Sequence, residues 1–210
     1  MGFTNGITVT EEYLVLEDIT DGLIAPNVMD VKLGRVTWGP DASAKKIAQE
    51  KSKYKETKDS FGFSVLGMLV HALDPEAEDQ VIKFDKAFGK ALKANDVAKV
   101  PEIFFSHGQG PPKELVDMVI DDMKSIRDVL MIQRKYRFFA SSLLLVYDSH
   151  VVKQFKAGKV GLDGLRKTVA VRLIDFAHAF ENLYHGKDDN LLTGLENLLD
   201  LFKSYRKQIE

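Results

Sequence analysis

Residues 27–33, near the start of the chain, alternate between more polar and more apolar side chains, and this pattern constrains their local structure. Within residues 27–33, Val28, Asp30 and Lys32 fall on one side. The other side holds the more apolar set, Asn27, Met29, Val31 and Leu33. Successive side chains of a strand point to opposite faces, so the pattern predicts a strand with one buried face.

The rest of the chain mixes predicted strands and helices. Further strands are predicted at residues 13–19, 62–72, 138–147 and 168–176, and helices at 43–56, 76–96, 113–134 and 190–206. The helix at 113–134 carries an apolar stripe at helical spacing, made of Val116, Val119, Met123, Ile126 and Leu130. Because the regular alternation of a doubly wound sheet is absent, we expect the α+β class.

Composition excludes several classes of protein. Apolar residues make up 45% of the 210 residues, and the net charge of −2 gives no field directed at nucleic acid or membrane. There is no cysteine, which excludes disulfides and fits a reducing compartment. The longest apolar run is too short to span a bilayer, and the N-terminus lacks the pattern of a signal peptide. We expect a globular protein of the cytoplasm or nucleus, without a nucleic-acid partner.

Asp30 and Lys32 are the first candidates for chemistry. On a strand, residues i and i+2 project from the same face, so an acid and a base lie side by side. Phosphoryl transfer to a hydroxyl needs a carboxylate that orients or deprotonates the acceptor and a cation that offsets phosphate charge. Spacing alone equally allows a solvated strand face with a weak ion pair.

The predicted helix at 43–56 is the second candidate. Lys46, Gln49, Glu50 and Lys53 share one of its faces. Residues 27–58 hold eight Lys or Arg against four Asp or Glu, a local charge of +4 in a chain that is −2 overall. Such a face suits a small polyanion, although an ordinary solvated helix face has the same spacing.

Asp175 is the third candidate, because it ends a predicted buried strand. A carboxylate at that place is a natural ligand for Mg²⁺ in nucleotide enzymes, and the alternative is a residue that caps a turn. His178 follows three residues later.

These pieces occur together, in this order, in one known family. The chain resembles the inositol polyphosphate kinases, and the pattern of Pro26, Asp30, Lys32 and Gly34 is highly specific for them. Further matching stretches are residues 16–20, 52–54, 62–68, 139–144 and 174–178. The resemblance implies the C-terminal lobe of such a kinase, with an antiparallel sheet and packed helices over residues 13–210. Ala177 and His178 tilt it toward the multikinases.

The resemblance also implies roles for single residues. Glu17, Asp18 and Ile19 match the hinge (residues 16–20) whose backbone holds adenine. Asp30 matches the acidic residue near the ribose and the acceptor hydroxyl, and Lys32 matches the lysine on substrate and transferring phosphate. Substrate contacts are implied for Lys46, Gln49, Lys53 and His178, a metal contact for Asp175, and ATP and Mg²⁺ as cofactors.

Some positions depart from the family pattern. Glu50 stands where multikinases usually carry Gln, and Leu69 replaces a basic residue. The first basic residue of the chain is Lys32, so we expect residues 1–12 to be a short remnant without the usual nucleotide lysine. Two hypotheses follow: an ATP-dependent kinase of inositol tris- or tetrakisphosphate, or a non-catalytic module that binds inositol phosphates or a partner.

Overall fold

A five-stranded sheet organises the computed structural model, which describes residues 15–71, 81–105 and 110–209. The strands follow the order β3-β2-β1-β5-β6, and every neighbouring pair is antiparallel. They are β1 (Pro26–Leu33), β2 (Phe63–His71), β3 (Val81–Phe84), β5 (Ser142–Asp148) and β6 (Ala170–Ile174). A separate two-stranded sheet pairs β4 (Tyr136–Phe138) with β7 (Ala179–Glu181). The predicted α+β class is confirmed.

Strand β1 lies at the centre of the main sheet and alternates as its sequence predicts. Asn27, Met29, Val31 and Leu33 are fully buried, and the intervening side chains are half-buried. Asp30 pairs with Gly67 on one side and with Leu144 on the other, while Lys32 pairs with Ser64 and Ser142. The two candidate residues therefore project from the middle of the sheet, on the face opposite the apolar core.

Two long helices cover the core side of the sheet. They are α5 (Lys113–Ile132) and α8 (Asp189–Gln208), which pack against each other. The stripe predicted for α5 is buried, with Ile126 only partly so. Aromatic rings of Phe105, Tyr147 and Phe202 join the helices to the sheet, and the Tyr147 hydroxyl donates to the Phe104 carbonyl at 2.8 Å. Shorter helices are α4 (Val100–Phe105), α6 (Ser149–Lys156) and α7 (Leu162–Arg166).

The predicted helix over residues 43–56 is interrupted at Lys53 and Tyr54. Helix α1 covers Ala44–Ser52 and begins at Ser43, whose side chain accepts a hydrogen bond from the Lys46 amide. Tyr54 then takes a left-handed conformation, with φ of 50°, and α2 (Lys55–Phe61) begins after it. The break turns α2 back, so that Lys58 is 2% exposed and donates to the Glu50 carbonyl at the end of α1.

The predicted helix over residues 76–96 is also wrong in part. Residues 81–84 form β3 instead, because they pair with β2 over Met68 to His71. Long-range pairing outweighs local helix propensity here. Helix α3 (Lys86–Ala91) follows, and a 3₁₀ helix covers Ala94–Lys99. Residues 76–80 lie outside the described part.

Three other strand predictions need correction. Residues 15–18 are irregular and exposed rather than a strand, because Asp18 Oδ1 accepts hydrogen bonds from the amide and hydroxyl of Thr20 and forms a local turn. Residues 13–14 and the 1–12 remnant lie outside the described residues. The strand predicted at 138–147 starts at Ser142, since Ala140 has a φ of 60°, and the one predicted at 168–176 ends at Ile174.

Among the described helices, none is both long and apolar enough to cross a bilayer.

Candidate active site

The Asp30 carboxylate lies on the open face of the sheet, where it lines a mostly apolar cavity together with Val28, Leu66 and Met68. Among the described residues, its buried Oδ1 has no hydrogen-bond partner, and neither has the neighbouring Ser142 Oγ. Burial raises the pKa of Asp30 above its usual value. The charges of Lys32 and Lys86 offset part of the rise. A buried acceptor without a donor is costly, so this position suits a group that receives a ligand.

Asp175 comes to the same place from the end of β6. Its charge contributes to the raised pKa of Asp30, which puts the two carboxylates within electrostatic reach. Asp175 has a φ of 64°, and its main-chain oxygen accepts a 2.7 Å hydrogen bond from the buried Ser141 hydroxyl. Asp and Asn tolerate this left-handed conformation better than most residues. The exposed side chain is therefore held at a fixed turn beside the sheet.

A cavity of about 350 Å³ lies between β1, α1 and the turn that follows β6. Lys32, Lys46, Asp175 and His178 line it together, although 146 positions separate the first and last of them in the chain. The structure thus brings together four of the side chains singled out from the sequence. Thr37 and Trp38, which were not predicted as site residues, line the same cavity.

A second cavity of about 270 Å³ adjoins the first and is strongly basic. Five lysines line it against a single carboxylate, that of Glu50; they are Lys32, Lys53, Lys58, Lys86 and Lys90. Lys58, Lys86 and Lys90 were not predicted as site residues. The spacing of Lys86 and Lys90, four residues apart on α3, is a signal in the sequence, but only the packing of α3 on β2 points both toward Lys32.

Glu50 is the buried centre of the α1 face. Its side chain is 9% exposed and accepts hydrogen bonds from the Lys53 ammonium at 2.7 Å and the Thr37 hydroxyl at 2.9 Å. Lys46 Nζ lies 3.7 Å from the same carboxylate. Gln49, predicted as a substrate contact, is exposed and lines neither cavity. Glu50, which departs from the family pattern, therefore lies at the place where Gln49 was expected to contact the substrate.

The predicted hinge lies in the exposed segment that leads into β1. Glu17 and Asp18 are exposed and Ile19 is half-buried. Asp21 N donates to the Asp18 carbonyl at 3.1 Å, which closes the turn, and the hydrogen bonds from Thr20 lower the pKa of Asp18. None of the three hinge residues lines the two cavities described above.

The residues present fit a divalent cation that is shared with phosphates. No cluster of three or more His, Cys, Asp or Glu able to hold a metal occurs in the described ranges, but Asp30 and Asp175 lie within electrostatic reach of each other, and Asp30 Oδ1 is buried without a donor. Mg²⁺ is usually bound through one or two carboxylates together with substrate phosphates. A pair of carboxylates beside a cationic cavity matches that requirement.

Comparison with known proteins identifies the family to which the chain is similar. The model of the family described as inositol polyphosphate kinase matches residues 13–203. The inositol hexakisphosphate kinase 3 of Mus musculus is 27% identical over 205 residues, covering 93% of this chain and 51% of the relative. The Homo sapiens protein of that name is 28% identical, covering 93% of this chain and 52% of the relative. The chain therefore spans about half the length of these relatives.

Solved structures of inositol phosphate multikinases share the fold of this chain. A crystal structure of the S. cerevisiae inositol phosphate multikinase in complex with ADP and Mn²⁺ superposes with a TM-score of 0.75 at 25% identity, covering 92% of this chain and 83% of that one. A second inositol phosphate multikinase structure superposes with a TM-score of 0.71 at 24% identity. Because the family model matches most of the chain, this chain belongs to the inositol polyphosphate kinase family.

Proposed function

We propose that this chain is an ATP-dependent phosphotransferase that phosphorylates a ring hydroxyl of inositol tris- or tetrakisphosphate. The observation that carries the proposal is the position of Asp30 and Lys32. They project side by side from the centre of the sheet, next to Asp175, and Lys32 lines both cavities.

Asp30 is the group that would orient and deprotonate the acceptor hydroxyl. Its raised pKa makes the carboxylate a better proton acceptor than a solvated aspartate, because burial and the nearby Asp175 charge disfavour the ionised form. Lys32, two residues on and on the same face, would offset the charge of the transferring phosphate. Phosphoryl transfer depends mainly on such positioning and electrostatic stabilisation.

The nucleotide would lie over the open face of β1 and β5. Half-buried apolar side chains lie beside Asp30 there, namely Val28, Leu66 and Leu144, and offer a surface on which a base can pack. Glu17, Asp18 and Ile19 would contribute backbone groups from the segment before β1. Asp30 and Asp175 would hold a divalent cation such as Mg²⁺, which neutralises phosphate charge when bound.

The substrate would occupy the strongly basic second cavity and reach the lysine and histidine of the first. Lys46 and His178 lie in the first, and Lys53 in the second with Lys58, Lys86 and Lys90. A compact cluster of ammonium groups favours a small ligand with several phosphates over a singly charged one. An inositol ring with three or four phosphates has that charge density.

Turnover of a defined substrate tests the proposal. The purified chain is incubated with ATP, Mg²⁺ and inositol 1,4,5-trisphosphate, and the products are separated by anion-exchange chromatography. We expect an inositol tetrakisphosphate in equal amount to ADP. Binding of the trisphosphate without any product would contradict the proposal and favour a non-catalytic binding module.

Lys46→Ala gives the matched test of the substrate site. Loss of one ammonium in the first cavity should raise KM for the trisphosphate about tenfold or more and leave kcat nearly unchanged. Lys124→Ala is the control, because Lys124 is half-exposed on α5 and pairs with Asp121 outside both cavities. Equal effects of the two substitutions would contradict the assignment of the cavity.

A further inference from the structure

Glu50 stands at the junction of the two cavities, the first of mixed charge and the second strongly basic. Lys32, Thr37 and Glu50 line both of them, and Glu50 is the one anionic residue of the three. A ligand large enough to contact Lys46 and His178 in the first cavity and Lys86 and Lys90 in the second must therefore pass this carboxylate.

The Glu50 carboxylate is held in place and kept ionised. Thr37 donates to Oε2 at 2.9 Å and Lys53 to Oε1 at 2.7 Å. Its main-chain oxygen accepts from the buried Lys58 ammonium, which fixes the end of α1 as well. Burial alone raises the pKa of Glu50, but the hydrogen bonds from Lys53 and Thr37 and the charges of Lys53 and Lys46 outweigh it, so the pKa lies below its usual value.

An ionised carboxylate accepts hydrogen bonds and donates none. Its two oxygens offer about four acceptor sites, and Thr37 and Lys53 use two of them. A hydroxyl of the ligand can donate to a remaining site. A phosphate at the same place brings like charge and no donor, and such unfavourable contacts are a common source of specificity.

We infer that Glu50 is a specificity-determining residue, which admits a ligand carrying a free hydroxyl between its phosphates and disfavours a fully phosphorylated ring. The inference rests on the proposed function and narrows its substrate class to partly phosphorylated inositols. Lys46 and Lys53 flank the carboxylate and bind the phosphates on either side, while Glu50 selects the hydroxyl between them.

Direct binding separates this specificity from catalysis. Isothermal titration calorimetry without nucleotide gives Kd values of the chain for inositol 1,4,5-trisphosphate and for inositol hexakisphosphate. In Glu50→Gln the side chain keeps its size and gains an N–H donor. We expect its affinity for the hexakisphosphate, relative to that for the trisphosphate, to rise about tenfold or more over the parent.

Two further variants define the outcome. Glu50→Asp keeps the charge and should keep the preference of the parent. Glu56→Gln is the matched control, because Glu56 is exposed and pairs with Lys93 at 2.7 Å away from both cavities, and it should leave both Kd values unchanged. Thermal unfolding of each variant verifies that it is folded before its Kd values are compared.

The results that overturn the inference are distinct from those that overturn the proposed function. If Glu50→Gln changes both Kd values by the same factor, or neither, Glu50 only orders the lysines and does not select the ligand. If the unmutated chain binds neither inositol phosphate, the proposed function and the specificity built on it both fail.

Discussion

The Ser141 hydroxyl donates a 2.7 Å hydrogen bond to the main-chain oxygen of Asp175, although 34 positions separate the two residues. Leu33 N in turn donates to the Ser141 carbonyl at 3.0 Å, so β1 is tied to the turn that carries Asp175. This connection explains how a side chain on an exposed turn keeps a fixed position beside Asp30 at the centre of the sheet.

Asp175→Asn should abolish turnover and leave the fold intact. Asn tolerates the left-handed φ of 64° and leaves the main-chain oxygen free to accept from Ser141, whereas the neutral amide is a much poorer ligand for Mg²⁺ than a carboxylate. We expect kcat to fall about a hundredfold or more, a size typical of lost electrostatic stabilisation at a reacting group.

Two measurements on Asp175→Asn decide between a role in catalysis and a role in folding. Product formation with ATP, Mg²⁺ and inositol 1,4,5-trisphosphate gives kcat, and circular dichroism gives the melting temperature. An unchanged melting temperature with lost turnover is the expected pair. Turnover close to that of the parent would show that Asp175 does not hold the cation.

The lowered pKa of Glu50 predicts how its contribution to stability depends on pH. A carboxylate with a depressed pKa stabilises the fold above its unfolded pKa, near 4.3, and loses that contribution as the pH falls through the folded value. At pH 7 the parent should therefore be more stable than Glu50→Gln, by at most about 1 kcal/mol because the lysine partners are half-exposed and screened by solvent.

Urea unfolding of the parent and Glu50→Gln between pH 7 and pH 3 checks this prediction. The difference in unfolding free energy should be constant near neutrality and should shrink as the pH falls below about 4.3. A difference that does not depend on pH would mean that the hydrogen bonds of Glu50 do not favour its ionised form.

Lys86→Ala and Lys90→Ala should each weaken binding of inositol 1,4,5-trisphosphate. Both residues lie on α3 and line the more basic cavity, so each removes one cation from the phosphate site. We expect Kd to rise about fivefold to tenfold for each and to depend less steeply on salt than in the parent.

The control for these two substitutions is Lys99→Ala. Lys99 is exposed and pairs with Asp96 at 3.0 Å, outside both cavities. Calorimetric titrations at two salt concentrations compare the three variants. If Lys99→Ala weakens binding as much as Lys90→Ala does, the effect comes from overall charge rather than from the cavity.

Gly89→Ala should destabilise the protein, although alanine is the better helix former. In an exposed helix the change usually stabilises by up to about 1 kcal/mol. Here a Cβ on Gly89 would overlap the main-chain carbonyl oxygen of Val65, so α3 must move away from β2. We expect a loss of about 1–3 kcal/mol, the usual cost of overpacking, and weaker trisphosphate binding because Lys86 and Lys90 move with the helix.

Gly186→Ala provides the comparison, because nothing lies within 4 Å of a Cβ built at that position. Chemical denaturation of the two variants gives the free energies of unfolding. A Gly89→Ala protein as stable as the Gly186→Ala protein would mean that α3 does not need this close approach to the sheet.

Local periodicity predicted the elements that are long and amphipathic. The helices at 113–132 and 189–208 and the alternation of β1 follow directly from the order of apolar and polar residues. Short elements depended on tertiary contacts instead. Residues 81–84 have no strong period of their own and become a strand only because β2 offers a partner.

The candidate site likewise contains residues that the sequence could identify and residues that only the tertiary structure revealed. Asp30, Lys32, Lys46, Lys53 and Asp175 could be singled out from residue type, spacing and family resemblance, and four of the five line the two cavities. Lys58 could not, because nothing local distinguishes it from the other lysines of a chain with 29 Lys and Arg, and the spacing of Lys86 and Lys90 does not by itself place them at the site.

The sequence by itself determined the class of fold, the polarity of the central strand and the family to which its motifs point, since these depend on patterns between near neighbours. The tertiary structure decided which charges meet. The left-handed Tyr54 turns α2 back so that Lys58 caps α1, and the packing of α3 on β2 points two more lysines toward Lys32. These contacts join residues distant in the chain, and only the burial of a shared core brings them together.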